Sequence, residues 1–546
     1  MADSRTGAWT AVTRSFGVRT AAYVPVHLDK PADGTTPAGE RYSYSANDTS
    51  VGDADGDGQY EFFVKWDPSD SKDNSIPGYT GPTMIDAYRM DGTRLWRIDV
   101  GTNIRAGAHY TPFQVYDYDG DGRAEIALKT ADGTVDGGGV VIGDPRADFR
   151  SPDGYIKSGP EFLTIFSGLT GRAIDTIPYE PVRGDLGRTW GDLHASKADR
   201  YLAATAYLDG VHPSLVMTRD YYYRTALIAY DFDGQHLKRR WLFDSSAPGN
   251  ARGASQGNHN LAVADVDGDG RDEIVYGSMT IDDDGHLLYS TGLGHGDALT
   301  VGDLDPTRPG YEAFAVHEFM ERSGNRAATF RDARTGQVLW SIPGDHDTGR
   351  GLAADVDPRH PGAEAWSYGG GANGSDDAEM RTADGQFLGH QIPQPNFAAF
   401  WDGDALREMV DISSYDAARH TGVPIISKWN WTTQHRDELM VAHGTSTDNG
   451  TKGDPMLQAD LLGDWREELV WRSEDSSEMR IYSTTIPTGM RLRTLMQDPM
   501  YRVGVAWQNS GYNQSPQPSF FIGAGMAPAP APRIRVVPPR APAAAG

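Results

Sequence analysis

VGDADGDGQYEFFVKW (residues 51–66) recurs as VYDYDGDGRAEIALKT (115–130) and again as VADVDGDGRDEIVYGS (263–278). Each copy carries Asp-x-Asp-Gly-Asp-Gly-x-x-Glu and then a short apolar run. The carboxylates are Asp53, Asp55, Asp57 and Glu61 in the first copy, Asp117, Asp119, Asp121 and Glu125 in the second, and Asp265, Asp267, Asp269 and Glu273 in the third. Three carboxylates within five residues repel one another unless a cation lies between them, so the spacing predicts calcium. An EF-hand would also begin this way, but it needs a bidentate Glu at its twelfth position. Val64, Leu128 and Tyr276 stand there instead. EFFVKW, EIALKT and EIVYGS are short and rich in β-branched and aromatic residues, which predicts strands rather than exiting helices. Each unit is therefore an acidic loop feeding a strand.

Looser copies follow the same plan. They are Asp303, Asp305 and Glu312; Asp355, Asp357 and Glu364; Asp402, Asp404 and Glu408; Asp460, Asp464 and Glu467; and a degenerate YLDGVHPSLVM around Asp209. Eight units at a pitch of roughly fifty residues match propeller blades of four short strands. Between them recur AYRMDGTRLW, TIFSGLTGRAI, AYDFDGQHLKRRW and TFRDARTGQVLW, each a strand, a tight turn and a second strand, three of them ending at Trp96, Trp241 and Trp340. That is a hairpin in every blade. The expected fold is an all-β, eight-bladed propeller over residues 46–525, with 1–45 as the edge of a small β-domain and 526–546 as a Pro/Ala-rich tail. MYRVGVAWQNSGYNQSPQPSFFIG (500–523) is strand-like at both ends and is expected to close the ring.

Composition narrows the function classes. Of 546 residues 64 are glycine, and mean hydropathy is −0.53, as expected for a soluble, turn-rich β-protein. There is no cysteine, which excludes disulfides, thiolate nucleophiles and Cys-ligated zinc and leaves ions and packing to fasten the fold. A net charge of −26 argues against nucleic acid as a partner. It argues less against an acidic substrate, because bound cations would neutralise many of the carboxylates. No membrane span is visible, and MADSRTGAWT lacks an apolar stretch behind a basic one. Calcium loops of this kind nevertheless suit a secreted protein.

Several segments exceed what blade scaffolding needs. KWDPSDSKDNSIPGYTG (65–81), NIRAGAHY (103–110), QGNHNLAVAD (256–265), GLGHGD (292–297), VHEF (316–319), DTGRGLAAD (347–355) and DNGTKGDPMLQADLLGDWREE (448–468) mix Gly with His, Arg, Lys and Asn. Most lie just before an acidic loop, a phase that gathers them at one end of the central channel. GGGANGSDDAEM (369–380) and DISSYDAARHTG (411–422) are candidate insertions at the rim.

The strings SANDTSVGDADGDGQYEFFVKWDPSDSKDNS, RAGAHYTPFQVYDYDGDG, QGNHNLAVADVDGDG, STGLGHGDAL, NGTK and LQADLLGDWREE resemble the bacterial rhamnogalacturonan lyases of polysaccharide lyase family 11, over roughly residues 40–525. Members usually begin with a further small β-domain ahead of the segment seen here at Tyr23. The resemblance implies a calcium-binding propeller that breaks rhamnose-(1→4)-galacturonate bonds of the pectin backbone by β-elimination, leaving 4,5-unsaturated uronate ends. Such chemistry needs a base for the C5 proton, positive charge at the uronate carboxylate and help for the departing O4. By the same resemblance Lys452 and Arg350 are the catalytic pair, either one as base or carboxylate clamp. A lysine near pKa 10.4 must fall by roughly two to three units to serve as base, about 3–4 kcal/mol. His259, His295, Asp297 and Glu318 would surround a cation in the cleft, with His317 adjacent. That mixed shell leaves calcium, manganese and zinc open. Asn47, Asp67, Asn449, Gly450, Thr451 and Tyr512 match positions that hold sugar. The implied state is a monomer acting on an acidic plant cell-wall polysaccharide, without nucleic-acid or membrane partners.

Two other classes compete. A non-catalytic calcium propeller shares the acidic loops but has no use for a convergent Lys, Arg and His cluster. A glycoside hydrolase needs two free carboxylates flanking the bond, and here most acids sit in the loops.

Overall fold

A computed structural model of the chain describes residues 22–368, 377–417, 419–449, 452–512 and 514–531. In each repeat a short inner strand runs into a turn and the next strand returns antiparallel, from a glutamate in seven blades and from Ser214 in the third. The second blade is representative: Phe113–Tyr116, Glu125–Ala131, Glu161–Ser167 and Ala173–Pro178 pair in order. Eight such sheets follow one another, with inner strands Tyr44–Gly52, Phe113–Tyr116, Ala203–Ala206, Ala262–Ala264, Leu299–Gly302, Gly351–Ala354, Phe397–Ala399 and Leu457–Ala459. Alanine and glycine dominate several of them because the blades converge on the channel and leave little room there.

The acidic turns repeat to the atom. Asp53 accepts from the Gly56 and Gly58 amides at 2.7 and 2.8 Å, and both glycines need positive φ, +80° and +84°. Asp117 and Asp265 do the same with Gly120, Gly122, Gly268 and Gly270. The strand glutamate ties the turn down: Glu61 accepts from Ala54 N–H, Glu125 from Tyr118 and Glu273 from Val266 at 2.7–2.9 Å. In the last blade Glu468, not Glu467, has this role, accepting from Leu461 and Leu462. Glu468 keeps the spacing from Asp460 that Glu61 keeps from Asp53, with Trp465 at φ +74° in the place of Gly58, and Glu467 turns inward to the Tyr501 hydroxyl at 2.7 Å.

Ring closure differs from expectation. Tyr23–His27 forms the outer strand of the last blade, pairing antiparallel from Tyr23↔Tyr482 to His27↔Glu478. The propeller therefore includes residues from 23 rather than 46, and the last blade is completed by the first strand of the described residues.

Residues 500–523 supply no closing strand. Pro499–Trp507 is a helix, capped by Asp498, whose side chain accepts from Tyr501 N–H, with Pro499 in the first turn. It plugs the channel against the inner strands of the first four blades and the last. Met500, Val503, Ala506 and Trp507 enter the core shared by the second to fifth blades, while Tyr501 and Val505 enter that of the first and last. Burial on both sides erases the amphipathic period a sequence reader looks for. Each large buried side chain gains roughly 1.5–3 kcal/mol, more than the at most ~0.7 kcal/mol that a valine costs a helix.

The hairpin tryptophans lock neighbouring blades. Trp96 Nε1–H donates to Gly168 O, Trp241 to Asp283 O and Trp340 to Ala383 O, at 2.7–2.9 Å, each reaching a turn of the next blade. The receiving turns present Gly171, Gly285 and Gly385 to the indole faces, where a Cβ would come within 2.6–2.8 Å of the ring. Of the two rim insertions, the described residues of 411–422 belong to the Glu408–Asp416 and Thr421–Asn430 hairpin, and 369–376 and 418 lie outside the described residues. Trp96→Ala is expected to cost about 3–5 kcal/mol, read as a lower denaturation midpoint with secondary structure retained.

Candidate active site

Each inner strand separates two loops: the acidic turn at its far end and, at its near end, the segments rich in His, Lys and Asn. His259 precedes Ala262–Ala264 and Asp265 follows it, so the three-residue strand keeps the two apart. The near-end loops are laced together blade to blade. His259 N–H donates to Gly296 O, Glu318 N–H to His295 O, Thr348 N–H to His317 O and Tyr512 N–H to His259 O.

This lacing brings His259, His295 and Asp297 together with ligand atoms within 4.8 Å of one another. His259 Nε2 lies 3.3 Å from Asp297 Oδ1, and His295 Nε2 lies 3.2 Å from Glu318 Oε2. His295 Nδ1 is 2.6 Å from Gly257 O, which fixes the proton on Nδ1 and leaves a bare lone pair on Nε2. That buried Nε2 has no hydrogen-bond partner. Burial holds His259 well below the usual histidine range and pushes His295 down to about 3. Burial, reinforced by Asp347 and Asp297, pushes Glu318 up to about 7. Two neutral imidazoles facing two carboxylates fit a divalent cation, and the carbonyl behind His295 is the kind of outer partner that orients a ligand. His317, by contrast, turns into its blade, with Nε2 3.0 Å from the Thr329 hydroxyl.

Lys452 stands beside this cluster. Its Nζ lies 3.9 Å over the Tyr512 ring and 3.7 Å from Asp297 Oδ2, with the side chain almost fully buried. Burial lowers its pKa to about 8; Asp297 opposes the shift and Arg350 adds to it. Arg350 Nη1 donates to Gly349 O at 2.6 Å, and its charge bears on Asp297, Asp347, Asp411 and Asp454.

A cavity of about 240 Å³ is bordered by Tyr512. Asn47, Asp67, Asn449 and Tyr512 line it, joined by Asp73, His109, Asp448 and Asp454. Gly450 and Thr451 lie outside the described residues. Lys65 and Arg472 sit behind the acids, Lys65 Nζ at 2.9 Å from Asp48 and 3.6 Å from Asp67, Arg472 at 2.7 Å from Asp448. Asp67 Oδ1, Asp448 Oδ2 and Asp454 Oδ1 are buried without a hydrogen-bond partner, acceptors suited to hydroxyl groups.

The sequence singled out His109 only within NIRAGAHY (103–110), and Arg200, Tyr221 and Tyr222 not at all. His109 stacks on His259 at 4.9 Å. Tyr221 and Tyr222 hydroxyls lie 2.9 and 3.1 Å from His259 Nδ1 and Nε2. Arg200 bridges the Tyr221 hydroxyl at 3.3 Å and Asp73 at 3.4 Å. The run of three tyrosines after a strand, RDYYYR (219–224), was the available signal.

The scaffold residues lie at the opposite end. Asp53, Asp55 and Asp57 form one carboxylate group, Asp117, Asp119 and Glu125 another, and Asp265, Asp267 and Asp269 a third, each within 4.8 Å. Burial, with neighbouring aspartates, pushes Glu125 and Glu273 up to about 9, and Glu273 Oε1 is buried without a partner. These all-oxygen sets suit a hard cation. In the looser copies internal partners intrude: Asp305 accepts from Thr307 at 2.6 Å and Asp357 from Arg359 at 2.8 Å. Asp303 and Asp355 accept from Phe521 and Ala524 amides, while Glu312 and Glu364 keep the strand-tying role.

The profile of "Rhamnogalacturonan lyase family 11, C-terminal domain" matches residues 23–532. The chain is 56% identical to rhamnogalacturonan endolyase YesW of Bacillus subtilis (strain 168), over 94% of this chain and 79% of that protein. It is 54% identical to rhamnogalacturonan exolyase YesX of the same organism, over 94% and 83%. A crystal structure of rhamnogalacturonan lyase YesW superimposes with a TM-score of 0.91 at 55% identity, covering 97% of this chain and 87% of that one. With an eight-bladed ring, one composite cleft and this coverage, the chain belongs to rhamnogalacturonan lyase family 11.

Proposed function

We infer that this protein is a rhamnogalacturonan lyase that breaks rhamnose-(1→4)-galacturonate bonds by β-elimination, with Lys452 as the base. One observation carries the assignment of the base: Lys452 is a buried amine lowered to about 8, beside Arg350 and a cation-type donor set. The neutral amine takes the C5 proton; that C–H electron pair becomes the C4=C5 double bond, and the C4–O4 bond breaks, O4 leaving with the rhamnose and gaining a proton. Arg350 faces the uronate carboxylate as negative charge builds there. A divalent cation held by His259, His295, Asp297 and Glu318 would supply further positive charge at that carboxylate. Tyr512 and the acceptor-rich cavity suit the neutral deoxyhexose, an apolar ring face on one side and hydroxyl acceptors on the other. The partnerless carboxylate oxygens of Asp67, Asp448 and Asp454 favour a hydroxylated neutral ring in the cavity.

We further propose calcium in the loops of Asp53, Asp117 and Asp265, supported by the clustered carboxylates and the partnerless Glu273 oxygen. A secreted enzyme acting on pectin fits both the substrate and calcium as the fastening of a cysteine-free fold.

Incubation with rhamnogalacturonan is expected to raise ultraviolet absorbance from the unsaturated uronate. New reducing ends without absorbance would mean hydrolysis, and neither signal would leave a binding protein. Lys452→Ala is expected to lower kcat by about 10²–10⁴-fold at an unchanged melting temperature; a rate near that of the parent would remove Lys452 as base. Because the base acts unprotonated, kcat/KM should rise with pH through about 8 and level off above it. A rate that falls across that range would contradict the assignment. Exhaustive chelation should lower the melting temperature, since ions that bind only the folded state stabilise it, and an unmoved melting curve would count against the calcium loops.

A further inference from the structure

The seventh blade cancels its crowded carboxylates with a side chain of its own. We propose that Lys428 is the built-in cation of the Asp402–Glu408 loop, so that this loop takes no calcium. The inference rests on the calcium reading of the other loops.

The turn keeps the strand-glutamate grip, although Phe400 stands where the full copies carry Asp53, Asp117 and Asp265. Glu408 Oε2 accepts from Trp401 and Asp402 N–H at 2.9 and 3.0 Å, as Glu312 does from Leu304 and Asp305 and Glu364 from Val356 and Asp357. The difference is at the other glutamate oxygen. Glu273 Oε1 and Glu364 Oε1 are buried with no hydrogen-bond partner, whereas Glu408 Oε1 receives Lys428 Nζ at 3.0 Å. The same ammonium donates to Asp402 Oδ2 and, at 2.6 Å, to Asp404 Oδ2. An ammonium has three N–H donors, and here three carboxylates take them. Calcium would need those oxygens at 2.3–2.6 Å and would meet a positive charge already seated among them.

Register brings the ammonium to all three carboxylates here; in the first blade Arg89 stands across from Glu61 but pairs with Asp55 at 3.0 Å, and in the fifth Arg308 comes to 3.5 Å from Glu312 Oε1 from within the turn. Ser427 pairs with Met409, so Lys428 lies directly across from Glu408. At the corresponding places Glu125 faces Ser167 and Glu312 faces Asp332, neither of which can supply a cation. The loop that carries Lys452 docks on this blade: Thr447 N–H donates to Gly422 O, and Thr421 Oγ1 donates to Thr447 O at 2.9 Å. A side-chain cation keeps that support in place whatever the calcium concentration.

The test counts calcium bound per full-length chain, by native mass spectrometry and by elemental analysis after buffer exchange. Asp117→Asn should lose one ion, Asp402→Asn should lose none, and Lys428→Gln should gain one. Loss of an ion at Asp402→Asn, or a folded Lys428→Gln that gains none, overturns the inference. If Lys428→Gln does not fold, the Asp402→Asn count decides alone. An unchanged count at Asp117→Asn would instead indict the calcium reading of the other loops, a failure separable from this one.

Discussion

Carboxylates crowded into one tight turn repel one another, and the way each blade cancels that repulsion governs the rest of the molecule. The turn fixes where the inner strand ends and where the next strand begins, because the strand glutamate grips the turn's own amides. A fixed inner strand in turn fixes the loop at its other end. Without cancellation, Glu125 and Glu273 sit far above the ordinary carboxylate range under burial and the pull of neighbouring aspartates. A divalent ion is one remedy. Lys428 across from Glu408 is another, achieved with a strand neighbour instead of a ligand.

The separation of fastening from chemistry follows from strand length. A rise near 3.3 Å per residue over a strand as short as Ala262–Ala264 still keeps an acidic turn and a cleft loop well apart. The cleft can therefore be assembled from several blades at once, with His259, His295, Glu318, Arg350 and Lys452 each delivered by a different loop. Backbone bonds between those loops then hold the set together. Burial does the electrostatic work: it strips the proton from the histidines, lowers Lys452 to about 8 and leaves acceptors bare in the neighbouring cavity.

Much of this was legible along the chain. The Asp-x-Asp-Gly-Asp-Gly phrase has a fixed phase relative to its strand, so its recurrence announces blades, and the hairpin tryptophans mark their outer edges. Three expectations failed. Glu467 took the place of Glu468, although Glu468 keeps the spacing from Asp460 that Glu61 keeps from Asp53. The Pro499–Trp507 helix was mistaken for strand because apolar residues surround it, although Asp498-Pro499 was a legitimate helix start. The closing strand was sought near residue 500 and found at Tyr23–His27, a pairing across more than four hundred residues that no local pattern encodes.

What the sequence determined by itself was the repeat: acidic turn, strand order and blade number are all read from patterns a few residues long. What only the tertiary structure decided was every relation across distance in the chain. The partners of His259, the cation facing Glu408, the orientation of Lys452 over Tyr512 and the closure of the ring depend on which loops meet at the channel mouth. That meeting is set by packing of whole blades around a buried helix, and no window of sequence contains it.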